Sequence, residues 1–102
     1  MKQPNSDECR QLFEVIAALN TAEECRLFFE DICTIKELQA MAQRWQVARQ
    51  LSAGRNYNEV YEDTGVSSAT ISRVNKCLLY GDGGYRLALE RMEKGGNIAD
   101  ES

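Results

Sequence analysis

The stretch NEVYEDTGVSSATISRVNK, residues 58–76, decides the fold. It reads as a short helix, a glycine turn and a second helix, with apolar side chains at fixed offsets. Val60 falls on the buried face of the first helix, Gly65 permits the tight turn, and Val66 plugs the angle between the two helices. Ile71 and Val74 then bury the back of the second helix. With those positions inward, Ser68, Ala69, Ser72, Arg73 and Lys76 lie on or beside the opposite face. Small residues at its N-terminal end let this helix approach a surface closely. The pattern over residues 57–79 is that of a helix-turn-helix, whose second helix enters the major groove of duplex DNA. Ser67 caps that helix, and the free amides and positive dipole there suit a phosphate, so Ser67, Ser68 and Thr70 are expected to add contacts. The plainer alternative for these offsets is an ordinary corner between two helices.

Working outward, punctuation divides the chain into about six helices, and nowhere does the period-two alternation of a strand occur. The fold class is therefore all-α. Asn5 or Ser6 can cap a helix over 7–19 carrying Leu12, Val15, Ile16 and Leu19. Thr21-Ala22-Glu23-Glu24 has the hydroxyl and carboxylate of a capping box and opens a second helix that is expected to bury Leu27, Phe28 and Ile32. Thr34-Ile35-Lys36-Glu37 repeats the device before a long third helix with Leu38, Met41, Ala42, Trp45, Ala48 and Leu51 on one stripe, stopped at Gly54. Asn56-Tyr57-Asn58-Glu59 is a third capping box. Gly81-Asp82-Gly83-Gly84 reads as a hinge before a last helix over 85–94. It lacks the strand before it and the Lys-Ser/Thr after it that a phosphate-cradling loop needs. A single domain over 1–94 and a flexible tail over 95–102 follow from this division.

Composition narrows the function. The 102 residues are 43% apolar and 27% charged, which suits one small globular domain, and a helical chain of this size often completes its core by association, so a homodimer is expected. No run reaches the length of a membrane span and the opening residues lack the apolar segment of a signal peptide, so a cytoplasmic protein with no membrane partner is expected. The net charge of −4 argues against a nucleic-acid binder until the charges are located. Residues 1–33 carry three basic and seven acidic side chains, whereas residues 34–94 carry nine and seven. Between Glu37 and Glu59 the only charges are Arg44, Arg49 and Arg55; between Asp63 and Asp82 they are Arg73 and Lys76. Two acid-free basic stretches thus flank one short acidic helix, and a mixed-charge chain can still present phosphates with a favourable surface.

Enzymatic chemistry finds little purchase here. The chain has no histidine, no nucleophile-base spacing and no metal-ligand set, so neither an enzyme nor a metal cofactor is expected. Cys9, Cys25, Cys33 and Cys77 form no C-x-x-C pair. On one continuous helix Cys25 and Cys33 would stand about 12 Å apart, beyond disulfide reach. Reduced cysteines acting as small packing residues are the simplest reading.

Residues 34–79 resemble the Trp repressor family: a capped helix with an Ala-Met-Ala-Gln-Arg stretch, a glycine stop, then this helix-turn-helix. The wording ELQAMAQRW and GVSSATISRV is similar to the YerC/YecD branch of Trp-repressor-like proteins. The resemblance implies an intertwined all-helical homodimer with two projecting reading heads, and double-stranded DNA as partner. It further implies an effector pocket at Thr34, Arg44 and Arg73, where the family's corepressor indole lies between two arginines near a threonine. Two positions depart from that pattern. Val74 stands where the family has the glycine that admits the indole, and Cys77 where it has a serine that holds the amino group. An isopropyl group in a ring-sized slot overpacks it, which argues against tryptophan as cofactor and leaves an unknown small ligand or none. The residue reading of Arg44 alone is a surface arginine packing its stem beside Trp45. The expected function is a sequence-specific DNA-binding transcriptional regulator acting as a repressor. The alternative is a dimeric protein-interaction module whose acidic N-terminal half meets a partner.

Overall fold

The computed structural model describes residues 6–101, with side chains from 6 to 94. Six helices make up the described residues, with no strand: α1 (Ser6–Ala17), α2 (Ala22–Ile32), α3 (Ile35–Ser52), α4 (Tyr57–Thr64), α5 (Ser68–Tyr80) and α6 (Gly84–Glu101). None of them is long and apolar enough to cross a membrane. The span expected as one domain carries two compact units, Met1–Leu38 and Gln39–Ser102.

Helix starts follow the side chains that satisfy the first free amides. The Thr21 hydroxyl accepts from the Glu24 amide at 3.1 Å, while the Glu24 carboxylate accepts from the Asn20 amide at 2.8 Å, one residue earlier than a reciprocal box would place it. Thr34 and Glu37 close the full box at 3.1 and 2.8 Å, as do Asn56 and Glu59, both at 2.9 Å. Gly54 ends α3 beyond Ser52 with φ 91°, a left-handed conformation that favours glycine. On α2, Arg26 pairs with Glu23 and Glu30, and its hydrogen bond holds the Glu23 carboxyl below its ordinary value of 4.5. The trio is exposed to water, which leaves it little weight in stability.

In the first unit α1 and α2 bury no residue completely. Leu12, Ile16, Leu19, Cys25, Phe28, Phe29 and Cys33 are half-buried, with Phe28 and Phe29 edge to face at 5.6 Å. Leu27 and Ile32, expected in the core, are instead exposed, as are Phe13, Val15 and Ile35. The reason is geometric: the helices of this unit are amphipathic, and an apolar stripe is buried only along the part that another element of the protomer meets.

The core lies in the second unit. Val47, Ala48, Val60, Val66, Ile71 and Val74 form it, from α3, α4, the turn and α5, with Trp45, Leu51, Leu78 and Tyr85 packed against its edge. On α3 the buried side is therefore the Val47-Ala48-Leu51 side, and Ala42, expected on the buried stripe, is exposed. Apolar residues occupy more than one side of α3, so periodicity alone does not choose which side is buried. The last helix also differs from expectation. Its backbone is helical to Glu101 rather than ending at 94, because Gly95-Gly96 lack the left-handed geometry or following proline that stops a helix. The expected flexibility of 95–102 falls on residues whose side chains lie outside those described.

Candidate nucleic-acid interface

The reading head is built by α4, Gly65 and α5. Thr64 folds its hydroxyl onto the Val60 carbonyl at 2.7 Å, ending α4, and Gly65 follows with φ 72° and ψ 4°. A Cβ there would meet nothing within 4 Å, so the glycine serves backbone conformation and not space. Val66 then inserts between the helices and is buried, as its place in the turn predicts. Ser67 caps α5: its hydroxyl accepts from the Thr70 amide at 3.2 Å and donates to the Thr70 hydroxyl at 3.1 Å.

Burial along α5 sorts its two faces. Ile71 and Val74 are buried and Leu78 half-buried on one side. Ser68, Ala69, Ser72, Arg73 and Lys76 are exposed, while Thr70 is half-buried. Helical spacing carries the outward row Ala69, Arg73, Lys76 one step further, to Tyr80, which is 82% exposed. Helix α5 contains no acidic residue, so this face is positive or neutral throughout.

The acidic residues of α4 are largely engaged. Glu59 closes the capping box. Asp63 accepts from Gln50 at 3.0 Å and from Arg55 at 2.9 Å, and Arg55 also donates to the Gln50 side chain at 3.0 Å. Arg55, read as a candidate phosphate contact, is thus held in a network that pins the α3–α4 connection to α4. Arg49 borders a cleft between α3 and α6 with Trp45, Leu89 and Met92, on the α6 side of the head. Arg73 and Lys76 remain as the cations of the α5 face.

The three residues of the expected effector pocket are placed differently from one another. Thr34 is the exposed cap of α3 and spends its acceptor on the Glu37 amide. Arg44 is half-buried, on the same side of α3 as Val47, Ala48 and Leu51, which suits an arginine packing its stem. Arg73 stands on the solvent face of α5. Val74 is fully packed in the core, and Cys77 is exposed and unpaired.

Arg86 carries no signal in the sequence. It reaches back from α6 and donates to the Leu78 and Leu79 carbonyls at 2.8 and 3.4 Å, where the end of α5 has no internal donors left. The turn between the helices is close: a Cβ on Gly81 would stand 2.5 Å from the Cys77 carbonyl oxygen.

Comparison with known proteins agrees with this geometry. A family model described as Trp repressor protein matches residues 7–93. The chain belongs to the Trp repressor family. An uncharacterised Bacillus subtilis protein, YerC, is 49% identical over 87 residues, covering 85% of this chain and 84% of that protein. A TrpR-like protein from Eubacterium eligens superposes with a TM-score of 0.81 at 45% identity, over 85% of this chain and 90% of that one. A proposed Trp repressor from Staphylococcus aureus does so at 0.81 and 40%, over 85% and 87%. Membership of this family, a family of regulators, supports DNA binding through the helix-turn-helix.

Proposed function

We propose that this chain is a sequence-specific DNA-binding transcriptional regulator, a cytoplasmic homodimer that represses by occupying a promoter. The observation that carries the reading is the acid-free outer face of α5, with Arg73 and Lys76 exposed beside Ser68, Ala69 and Ser72, on a helix-turn-helix whose apolar spacers are all buried. Small residues at the start of that face admit the helix to the major groove, and Arg73 supplies donors for base edges or phosphates. Dimerisation is supported by the apolar side chains that α1 and α2 leave uncovered, Phe13 at 63% and Leu27 at 54% exposed among them. The filled position at Val74 supports a regulator that takes no tryptophan.

Genomic footprinting of the tagged protein, followed by titration of a recovered site against a scrambled duplex, tests the reading. Preference for the recovered site of a hundredfold or more is expected. Equal affinity for both duplexes, or none for either, refutes it in favour of a dimeric protein-interaction module whose acidic N-terminal half meets a partner.

A further inference from the structure

All four tyrosines of the chain, Tyr57, Tyr61, Tyr80 and Tyr85, belong to the helix-turn-helix half, and three of them are exposed. Tyr57 is 40%, Tyr61 54% and Tyr80 82% exposed, and none of the three has a hydrogen-bond partner among the described residues. Such side chains leave their hydroxyls free to donate, and a tyrosine hydroxyl is a phosphate donor that carries no charge.

Their placement on each helix follows from spacing and burial. On α5, Tyr80 follows Ala69, Arg73 and Lys76 in the outward row, about 16 Å along the axis from Ala69. A major groove is about 12 Å wide, so a helix with Ala69 at the base edges carries Tyr80 to the rim where the phosphates run. Arg86 holds that last turn from behind. On α4, Tyr57 and Tyr61 are one turn apart on one flank. Val60 points to the core, and Asp63 is drawn to Gln50 of α3 and to Arg55. Tyr61 lies about 160° around the helix from Asp63, and so on the flank turned away from that network. In a helix-turn-helix the first helix crosses the phosphate backbone.

The cations are few by comparison. Arg55 is committed to Asp63, and Arg49 lies on the α6 side, which leaves Arg73 and Lys76 on the reading face. We propose that Tyr57, Tyr61 and Tyr80 donate their hydroxyls to DNA phosphates, so that this head grips the duplex backbone chiefly through neutral donors. The inference rests on the DNA-binding reading above and specifies how that reading is carried out. Its consequence is a shallow response to salt. Each neutralised phosphate contributes about −0.9 to the slope of log affinity against log salt, so two cations give about −1.8 per head and about −3.6 for two heads. Raising salt fourfold then weakens a two-headed complex about 150-fold, where six to ten ionic contacts would cost about 10³ to 10⁵.

The test measures affinity for duplex DNA across a salt series for the full chain and for Tyr57→Phe, Tyr61→Phe and Tyr80→Phe, singly and combined. These variants keep the rings, and thermal unfolding checks that they keep the fold. Each is expected to bind about three- to tenfold more weakly at every salt concentration, equally on specific and non-specific duplexes, with the slope unchanged. Lys76→Gln is expected to flatten the slope by about 0.9 per head. A parent slope steeper than about −6, or a triple variant that binds like the parent, overturns the hydroxyl clamp and leaves the DNA-binding reading standing. A tyrosine face that serves a protein partner gives that second result. A parent that binds no duplex at any salt overturns both.

Discussion

Replacing Val74 with glycine tests at once the packing of the reading head and its closure to an aromatic ligand. Val74 is 1% exposed, one of six buried core side chains among the described residues. Removing three carbons at about 0.8 kcal/mol each forfeits roughly 2.4 kcal/mol of burial, and glycine in mid-helix adds about 1 kcal/mol. The sum is near 3.4 kcal/mol before any cavity cost, which lowers the melting temperature of a chain this size by more than about 10 °C. Far-UV circular dichroism against temperature, with and without L-tryptophan, reads both consequences. Tryptophan is expected to leave the parent's melting unchanged, because a ligand at a hundredfold excess over its Kd would stabilise the folded state by about 2.7 kcal/mol, a shift no scan misses. A glycine variant that loses less than about 1 kcal/mol would show that Val74 is not a packed member of the core. Tryptophan-dependent stabilisation of the parent would refute the closed slot outright.

Four further outcomes follow from the structure. Gly65→Ala is expected to cost about 1 to 2 kcal/mol in urea denaturation from the positive φ alone, since its Cβ meets nothing; Gly65→Asn should recover part of it. Arg73→Ala should abolish preference for the recovered site in fluorescence anisotropy while leaving the unfolding midpoint unchanged, because that side chain is exposed and outside the core. Sedimentation should show a dimer at micromolar concentration, and Phe13→Glu, at an exposed apolar position of α1, should shift it toward monomer. A double-mutant cycle on Arg55 and Asp63, read by chemical denaturation, should give a coupling of about 0.5 to 1 kcal/mol, and a coupling near zero would mean the network does not pin the α3–α4 connection.

The parts of this fold that were legible in sequence are those set by local chemistry. Caps at Thr21, Thr34, Asn56 and Ser67 declare themselves by residue type and by what stands three places on. Gly54 and Gly65 likewise mark left-handed stops, and Val60, Val66, Ile71 and Val74 reveal the head's core by offset. The exposure of Leu27 and Ile32 was not legible, because periodicity shows that a face is apolar without saying whether the same protomer covers it. The burial of Val47 in place of Ala42 on α3 was hidden for a related reason, since several sides of that helix are apolar. Among site residues, the free cations could be counted in sequence, but the loss of Arg55 to Asp63 depends on how the chain turns after Gly54. Tyr80 was within reach, one step beyond Lys76 on the row already drawn.

Arg86 makes the far end of the reading helix the property of a different helix. Ordinarily a helix terminus frays or holds according to its own last residues, yet here the carbonyls of Leu78 and Leu79 take their donors from a side chain seven or eight positions downstream, across a turn. That guanidinium is exposed, so water competes for it and the link is of modest strength. The final turn of α5 is therefore completed in part by a side chain that α6 supplies, so that two helices share one terminus.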